Sequence, residues 1–391
     1  MKTIIRTIPI FIVLMVLTYF IPQIISDSPS EIVTQKKNRL ELKKEPKTDS
    51  IPAVKQETFS LEGIGQYMGK TSDVFKNIYG EPLRIKSTLL GYEWWIYGNS
   101  EQDYVQVGVS EENTIVSIFV LGSSLDVSPF KIGMDITEIY QLATLYPTFS
   151  VDYKNRNYTI ELSENDLNYH PLVIFENNIF SMLMVDRKTN KINAIRYVDK
   201  QTLLESDIYE VSPQKEINSS KKRAAEVETE SKGNVQEVEI TLNALRKRYD
   251  LLDLTYSEEL STMAKDIFSS QTKFISEQSS DEIKIKDESS TESLMKSDSS
   301  NGNEDGKEVE LPPLTSDIIQ GYLKMNKMSL ADTRVVYSNQ FSDPTWLITY
   351  WFSLENQRMI LSDPLMKRFG FAFRGEEVML ILDKEEANTI K

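Results

Sequence analysis

Three long polar stretches divide this chain of 391 residues and leave two blocks that can build a hydrophobic core. Residues 27–58, 207–234 and 276–310 are rich in Ser, Lys, Glu and Asp, and their apolar residues are scattered. Segments of this composition bury too little apolar surface to offset the entropy lost on folding. We therefore predict a disordered stalk at 27–58, a linker at 207–234 and a disordered insertion at 276–310. The folded domains are then 59–206 and 235–391.

The first 26 residues have the pattern of a targeting signal. Lys2 and Arg6 precede a mostly apolar run from residue 8 to 25, which is long enough to cross a hydrocarbon core of ~30 Å as a helix. The preceding positive charge predicts that the following domains lie outside the cell. The run lacks the small-residue cleavage site of a secretory signal. We therefore predict a single-pass signal anchor at 1–26 in the cell membrane, with secretion as the alternative.

Charge and composition exclude several kinds of function. The chain has 44 basic and 59 acidic residues and a formal net charge of -15, which disfavours binding to nucleic-acid phosphates. It has no cysteine and one histidine, His170, so neither a disulfide framework nor a zinc site of histidines and cysteines can form. We expect no cofactor and no metal. His170 precedes a predicted strand and is interpreted as a loop residue.

An internal repeat organises residues 59–206. Each unit begins with an Ile-Gly pair, at 64–65 and at 132–133, and continues into a predicted helix, at 71–78 and at 137–145. Apolar residues then alternate with a period of two, which is typical of strands. The predicted strands are 92–97, 104–109, 114–119, 158–162, 172–175, 180–185 and 191–197. We predict an α+β domain of two repeats, each a helix packed on an antiparallel meander.

The second block begins with two predicted helices. Apolar residues at helical spacing mark a helix from residue 235, and Ser257 is a suitable N-cap for the next one. Structure resumes near Leu314 with a further helix, and strands at 370–373 and 377–382 close the chain.

Motifs in this second block carry a family resemblance. They are Asn243-Ala244-Leu245-Arg246, the stretch 251–256, Trp351, Gln357-Arg358 followed by Met359-Ile360-Leu361, and Phe369-Gly370-Phe371-Ala372. The block thereby resembles the CAP superfamily, named for cysteine-rich secretory proteins, antigen 5 and pathogenesis-related 1. The resemblance implies an α/β/α sandwich. Residues 59–206 resemble the domain that accompanies CAP domains in Gram-positive bacteria, through the motifs Tyr79-Gly80-Glu81-Pro82 and 91–97.

The chain departs from the CAP pattern where the family has its cleft. The resemblance implies two histidines and two acidic residues there, which bind a metal ion in some members. Glu277 and Gln357 stand at the histidine positions, Ser338 stands where an acid is expected, and Arg358 follows Gln357. Without imidazoles a zinc ion cannot be held in the usual way. We therefore interpret the second block as a degenerate CAP-like domain with a pseudo-active site.

One other constellation suggests a ligand. Glu93 adjoins Trp94 and Trp95, and aromatic rings stack on sugars. A glycan hydrolase would need a second carboxylate some 5–10 Å from Glu93, and the sequence does not single one out. The alternative is that these aromatics fill the core.

These observations predict a non-catalytic, membrane-anchored scaffold or binding protein of the cell envelope. Its expected partners are the membrane, a wall polymer or a surface protein, with no nucleic acid. The alternatives are a cell-wall glycan hydrolase that uses a carboxylate pair, and a regulator of an envelope growth or division machine.

Overall fold

The computed structural model describes residues 32–35, 56–88, 91–206, 208–213, 231–270, 314–339, 343–374 and 377–385. The predicted anchor at 1–26 and the predicted insertion at 276–310 lie outside these residues. Within them, no helix is long and apolar enough to cross a membrane.

The first block is built on a seven-stranded sheet. Its strands, in chain order, are β2 (Arg84–Ser87), β3 (Tyr92–Tyr97), β4 (Val105–Ser110), β5 (Ile115–Val120), β8 (Leu172–Phe175), β9 (Ile179–Asp186) and β10 (Lys191–Asp199). They lie in the order β2-β3-β4-β5-β10-β9-β8, and every neighbouring pair is antiparallel. The pairing of β5 with β10 joins the two predicted units into one sheet.

A second, three-stranded sheet departs from the predicted repeat. It contains β6 (Thr148–Tyr153), β7 (Arg156–Glu161) and β11 (Glu210–Ser212). The strand predicted at 158–162 thus belongs to a different sheet from the other strands of its unit. The block is mixed α+β as predicted, while the equivalence of the two units stays a prediction.

Short helices cover the seven-stranded sheet. They are α1 (Ser72–Tyr79), α2 (Ile136–Leu142), α3 (Glu164–Tyr169) and α4 (Lys200–Glu205), with a 3-10 turn at Gly63–Tyr67. Asp135 begins α2 with a capping box, because its side chain accepts from Thr137 N at 2.9 Å and Glu138 reaches back to its backbone. Phe75 of α1 and Ile139 of α2 are buried in one core on this face of the sheet.

The second block forms an α/β/α sandwich. Its five-stranded sheet has the order β1-β13-β15-β14-β12, with β1 (Ile32–Gln35), β12 (Thr255–Tyr256), β13 (Thr333–Ser338), β14 (Arg368–Arg374) and β15 (Glu377–Asp383). The helices are α5 (Ser231–Lys247), α6 (258–270), α7 (Ser316–Met325), α8 (Pro344–Ser353) and α9 (Glu355–Leu361). Residues of α5, α8 and α9 share one core with this sheet, and residues of α6 and α7 share the core on its other face.

The structure corrects the predicted stalk at residues 32–35. These residues form β1, which pairs in parallel with β13, with Ile32 opposite Val335. Ile32 packs against the core under α6 and α7, and Val33 packs against the core on the opposite face. Two adjacent β-branched residues can therefore cover both faces at the edge of the sheet, which composition alone does not indicate.

The predicted linker at 207–234 is also too long. β11 pairs with β7 at residues 210–212, and Tyr209 is buried with its hydroxyl donating to His170 O at 2.6 Å. At the other end, α5 begins at Ser231, four residues before the predicted start. Strand β11 was missed because a short segment with no apolar periodicity of its own is held by pairing with the distant β7.

Gly370 explains one motif of the CAP resemblance. A Cβ at this position of β14 would lie 2.3 Å from the carbonyl carbon of Leu260 and 2.3 Å from Ser261 N, both in the backbone of α6. Ser261 Oγ also accepts from Phe371 N at 3.0 Å. The absence of a side chain at Gly370 therefore lets α6 lie directly on the strand.

We expect Gly370→Ala to lower the free energy of unfolding by about 1–3 kcal/mol or more, because overpacking displaces backbone that cannot yield. Gly321→Ala is the matched control. Gly321 lies in α7, and a Cβ there meets nothing within 4 Å, so alanine should leave stability unchanged or raise it by up to about 1 kcal/mol. Chemical denaturation measures both. Equal effects at the two glycines would contradict the close approach of α6.

Candidate functional site

The candidate site lies where the two blocks meet. A single hydrophobic core contains Trp94 and Phe180 of the seven-stranded sheet together with Leu242 of α5 and Trp351 of α8. The two predicted domains are therefore packed together over a shared core. Polar and charged side chains cross this contact at four places.

The first place is a buried carboxylate, Glu237 of α5. It accepts hydrogen bonds from the Tyr104 hydroxyl, from Gln106 Nε2 at 3.1 Å and from Arg84 Nη2 at 3.2 Å. Gln106 Nε2 also lies 2.9 Å from the Thr345 hydroxyl of α8. Burial, and then the neighbouring Glu237 charge, raise the pKa of Tyr104 well above its usual value, so its hydroxyl stays a donor. Glu237 thus fastens helix α5 to the sheet of the first block.

The second place involves Arg358, a residue of the predicted CAP cleft. Its Nη1 lies 3.1 Å from Asp186 Oδ1, at the end of β9 in the first block. The Tyr249 hydroxyl donates to the other oxygen of Asp186, and both Arg358 and Asp186 are buried. Burial, followed by the contact with Asp186, raises the pKa of Tyr249. The residue that follows Gln357 therefore forms an ion pair between the two blocks.

The third place joins β10 to the start of α8. Arg196 Nη1 lies 3.4 Å from Asp343 Oδ2, and its Nη2 donates to the Tyr92 hydroxyl at 2.7 Å. The other Asp343 oxygen caps α8 by accepting from Trp346 N at 2.7 Å. Burial is the main cause that raises the pKa of Tyr92 to about 12. Asp343 therefore both starts the helix and fixes it to the first block.

A cleft opens beside the fourth place, around Arg248. The guanidinium of this residue bonds Glu101 Oε1 at 2.9 Å and the carbonyl oxygens of Asn193 and Leu121. The cleft has a volume of about 390 Å³, and both blocks line it. Its wall includes Lys191, Lys247 and the buried Asn193, whose Nδ2 has no hydrogen-bond partner among the described residues. Clefts of this size between domains are common ligand sites.

His170 also lies in the contact between the two blocks. It is buried at the end of α3, with its ring centroid 5.5 Å from Tyr209, 5.4 Å from Trp346 and 5.2 Å from Tyr350. Its Nε2 lies 3.4 Å from Asp166 Oδ1. Burial lowers the pKa of His170 below its usual value, and Asp166 opposes that shift. His170 lies in the short connection between α3 and β8, as the interpretation as a loop residue expects, and it is buried at the contact between the blocks.

We expect the interface to lose stability on acidification below about pH 6.5 because of His170. The unfolded imidazole takes up its proton near 6.5, whereas the buried imidazole does so only at lower pH. Between these two pKa values the unfolded state binds more protons, so stability falls as the pH falls. The chain has a single histidine, so one imidazole NMR signal reports its pKa directly. His170→Gln should flatten this part of the pH profile, and an imidazole pKa of 6.5 or above would contradict the expectation.

The positions expected to form the CAP cleft are dispersed or buried. Ser338 is buried at the end of β13, where it lies opposite Val378 of β15 and Gln35 of β1. Gln357 is buried in α9 beside Arg358, and Glu277 lies outside the described residues. Among the residues that the structure describes, no group of three histidines, cysteines or acids could hold a metal ion.

The aromatic constellation on β3 divides between the two faces of the sheet. Trp94 is buried against Arg196, with the guanidinium carbon 5.3 Å from the ring centroid, so it offers no surface to a ligand. Trp95 is half-buried with the Lys76 ammonium 5.4 Å from its ring centroid, and Glu93 is exposed on the same face. The structure thus leaves only Glu93 and Trp95 accessible on one surface.

Sequence reasoning missed Glu237, Asp186, Arg196 and Arg248. The first three lie in a helix or strand and Arg248 lies in the turn after α5, and the charge partner of each is 147 or more residues away along the chain. The one usable signal was a charged residue within an otherwise apolar stretch. Such a residue is rarely buried unless it is paired.

Comparisons with known proteins confirm the resemblance. Residues 68–209 match the family model described as CAP-associated N-terminal. An uncharacterized membrane protein of Bacillus subtilis, YlbC, is 30% identical over 206 residues, which are 52% of this chain. The chain spans 58% of the length of that relative.

Two solved structures share the fold. One is an extracellular protein containing a SCP domain from Bacillus anthracis, with 21% identity and a TM-score of 0.61 over 87% of this chain and 99% of that one. The other is a cysteine-rich secretory protein from Staphylococcus aureus, with 20% identity and a TM-score of 0.62 over 84% of this chain and 95% of that one. At these identities the likeness establishes the SCP-like fold.

Proposed function

We propose that this chain is a non-catalytic binding or scaffold protein of a Gram-positive cell envelope, held in the membrane by residues 1–26. The observation that carries the proposal is the pairing of Arg358 with Asp186. It ties the segment beside the lost CAP histidine position to the neighbouring domain, with Gln357 and Ser338 buried. The CAP-like domain then serves as a rigid partner of the first block, with a pseudo-active site.

The location is proposed from the sequence of the first 26 residues. The description of the Bacillus subtilis relative as a membrane protein and that of the Bacillus anthracis structure as extracellular support it. The anchor is a single pass that leaves both domains outside the cell. In this arrangement the two-unit repeat of the first block is a binding module facing the wall.

The cleft between the blocks is the proposed contact with a wall polymer or a surface protein. Lys191 and Lys247 supply positive charge at its wall. Carboxylates and phosphates of envelope polymers fit such groups. A partner within a growth or division machine would use the same surface.

Site-specific photo-crosslinking in intact cells tests the binding role. A crosslinker at the exposed cleft residue Gln102 should capture a defined wall or protein species. A crosslinker at Asn155, which is exposed on the hairpin between β6 and β7, should not capture it. Identical products from both positions would refute the cleft as the contact.

Incubation of purified cell walls with the full chain tests the absence of catalysis. We expect no soluble fragments from the natural chain, from Glu93→Gln or from the control Glu161→Gln, whose carboxylate is also exposed. The glycan hydrolase would be established instead if the natural chain and Glu161→Gln release soluble fragments and Glu93→Gln does not.

A further inference from the structure

The register of β1 fixes where the N-terminal segment enters the CAP-like sheet. Ile32 lies opposite Val335 and β1 runs parallel to β13, so β1 begins beside the start of β13. Asp383 at the end of β15 pairs with Thr333 at the start of β13 and with Arg368 at the start of β14. The start of β14 therefore lies at the same end of the sheet as the start of β13. The start of β12 lies there too, since Thr255 pairs with Arg368. We call this end the entry end of the sheet.

Three loops at the entry end each expose a large apolar side chain. Leu252 is 71% exposed in the loop before β12, Met325 is 74% exposed as the last residue of α7, which leads to β13, and Leu365 is 56% exposed in the loop before β14. Among the described residues of the second block, these three are the large hydrophobic side chains that remain exposed. Exposed apolar groups are common on protein surfaces, but their restriction to one end of a domain marks an interaction surface.

Basic side chains accompany these apolar tips. Lys324 and Lys327 flank Met325 and are exposed. Lys384 follows β15 and lies 3.1 Å from Asp332, and Lys247 lies 3.3 Å from Asp253. Asp332 and Asp253 offset the charges of Lys384 and Lys247, so Lys324 and Lys327 beside Met325 are the lysines that supply positive charge next to an apolar tip.

We propose that the entry end of the CAP-like sheet docks on the lipid surface of the membrane that holds the anchor, with Leu252, Met325 and Leu365 inserted at the headgroup level. The proposal rests on the membrane anchor proposed above. Residues 26–31 separate the apolar run from β1, and six extended residues span about 20 Å at most. The entry end therefore stays close to the bilayer, whereas a stalk of residues 27–58 would have let the domain move away from it.

The tether and the chemistry of the tips favour lipid as the occupant. Residues 26–31 keep the entry end within about 20 Å of the proposed anchor. Short apolar side chains such as Leu and Met enter the headgroup boundary of a membrane, and Lys324 and Lys327 beside Met325 are attracted by the charge of anionic lipid.

Fluorescence quenching in vesicles tests the proposal on the full chain. The chain has no cysteine, so Leu252→Cys, Met325→Cys and Leu365→Cys each provide a unique site for a fluorophore. The vesicles contain phosphatidylglycerol, phosphatidylcholine and a lipid with a nitroxide on its headgroup. Controls with matched exposure are Ile78→Cys at 62% and Tyr140→Cys at 56%, both in the first block. We expect quenching at the three loop sites to be at least threefold stronger than at the two controls.

A charge variant gives a second readout. Lys324→Glu combined with Lys327→Glu should weaken quenching at residue 325 by at least half, and in phosphatidylcholine vesicles this difference should shrink. The docking would be overturned, and the anchor left intact, by chains that stay in the vesicles after an alkaline wash but show quenching at the loop sites no stronger than at the controls. Loss of the chain in that wash would overturn both. A third outcome is that the three sites are protected from labelling in cells but show no quenching in vesicles. That outcome would assign the surface to a protein partner and also overturn the proposal.

Discussion

Arg358→Ala will lower the free energy of unfolding by about 3–5 kcal/mol, because it leaves the buried charge of Asp186 without its cation. The hydroxyls of Tyr249 and Thr189 and the backbone N–H of Lys188 still donate to Asp186, but neutral donors do not replace a guanidinium in a site removed from water. Chemical denaturation of the full chain in detergent measures the loss. Hydrogen exchange should also rise at the end of β9 and in α9, the two elements that the pair joins.

The matched control is the exposed ion pair between Lys384 and Asp332. Lys384→Ala should cost at most about 1 kcal/mol, because water screens this pair. A double variant, Arg358→Met with Asp186→Leu, should recover part of the stability lost in Arg358→Ala, because neither charge is then left buried alone. A loss below about 1 kcal/mol for Arg358→Ala would show that Asp186 is not committed to this pair.

Much of the fold was accessible from local patterns. The turns at Asn178 and Asn190 carry a local signal, because the structure places both residues at positive φ between paired strands. Asparagine favours this region of backbone conformation. Helices α1 and α2 and most strands of the seven-stranded sheet also followed from apolar periodicity, because one face of each is buried in a core.

The parts that failed depend on contacts distant in sequence. β1 pairs with a strand about 300 residues away, and four residues in a charged segment carry no periodic signal. Glu237, Asp186 and Arg358 are ordinary surface residue types, and only the approach of the two blocks buries them. Burial of a charge is a property of the assembled pair, so neither segment reveals it alone.

The CAP motifs retain structural roles although the cleft positions have changed. Arg246 is buried and donates to the carbonyl oxygens of Leu252, Leu361 and Asp363. Asn243 exchanges two hydrogen bonds with the backbone of Leu254, at 3.0 Å and 2.8 Å. These bonds hold the loop that presents Leu252 and connect α5 to the end of α9. The residues that carry the resemblance thus hold the framework of the second block.

Glu237→Ala should destabilise the contact between the two blocks by about 2–5 kcal/mol, the usual cost of truncating one partner of a buried, hydrogen-bonded charge at an interface. The substitution removes the acceptor of the Tyr104 hydroxyl and the charge partner of Arg84. Gln106 keeps its bond to Thr345, and the partly exposed Arg84 can reach water, so the lower half of this range is expected.

Two neighbouring substitutions make this result specific. Glu237→Gln keeps a carbonyl oxygen for Tyr104 and should cost less than alanine. Gln236→Ala changes an exposed residue of the same helix and should stay within about 0.5 kcal/mol of the natural chain. Denaturation and hydrogen exchange across β4 and α8 measure the three variants. If Glu237→Ala and Gln236→Ala behave alike, the blocks are held by their apolar core alone, and the buried carboxylate contributes nothing to their attachment.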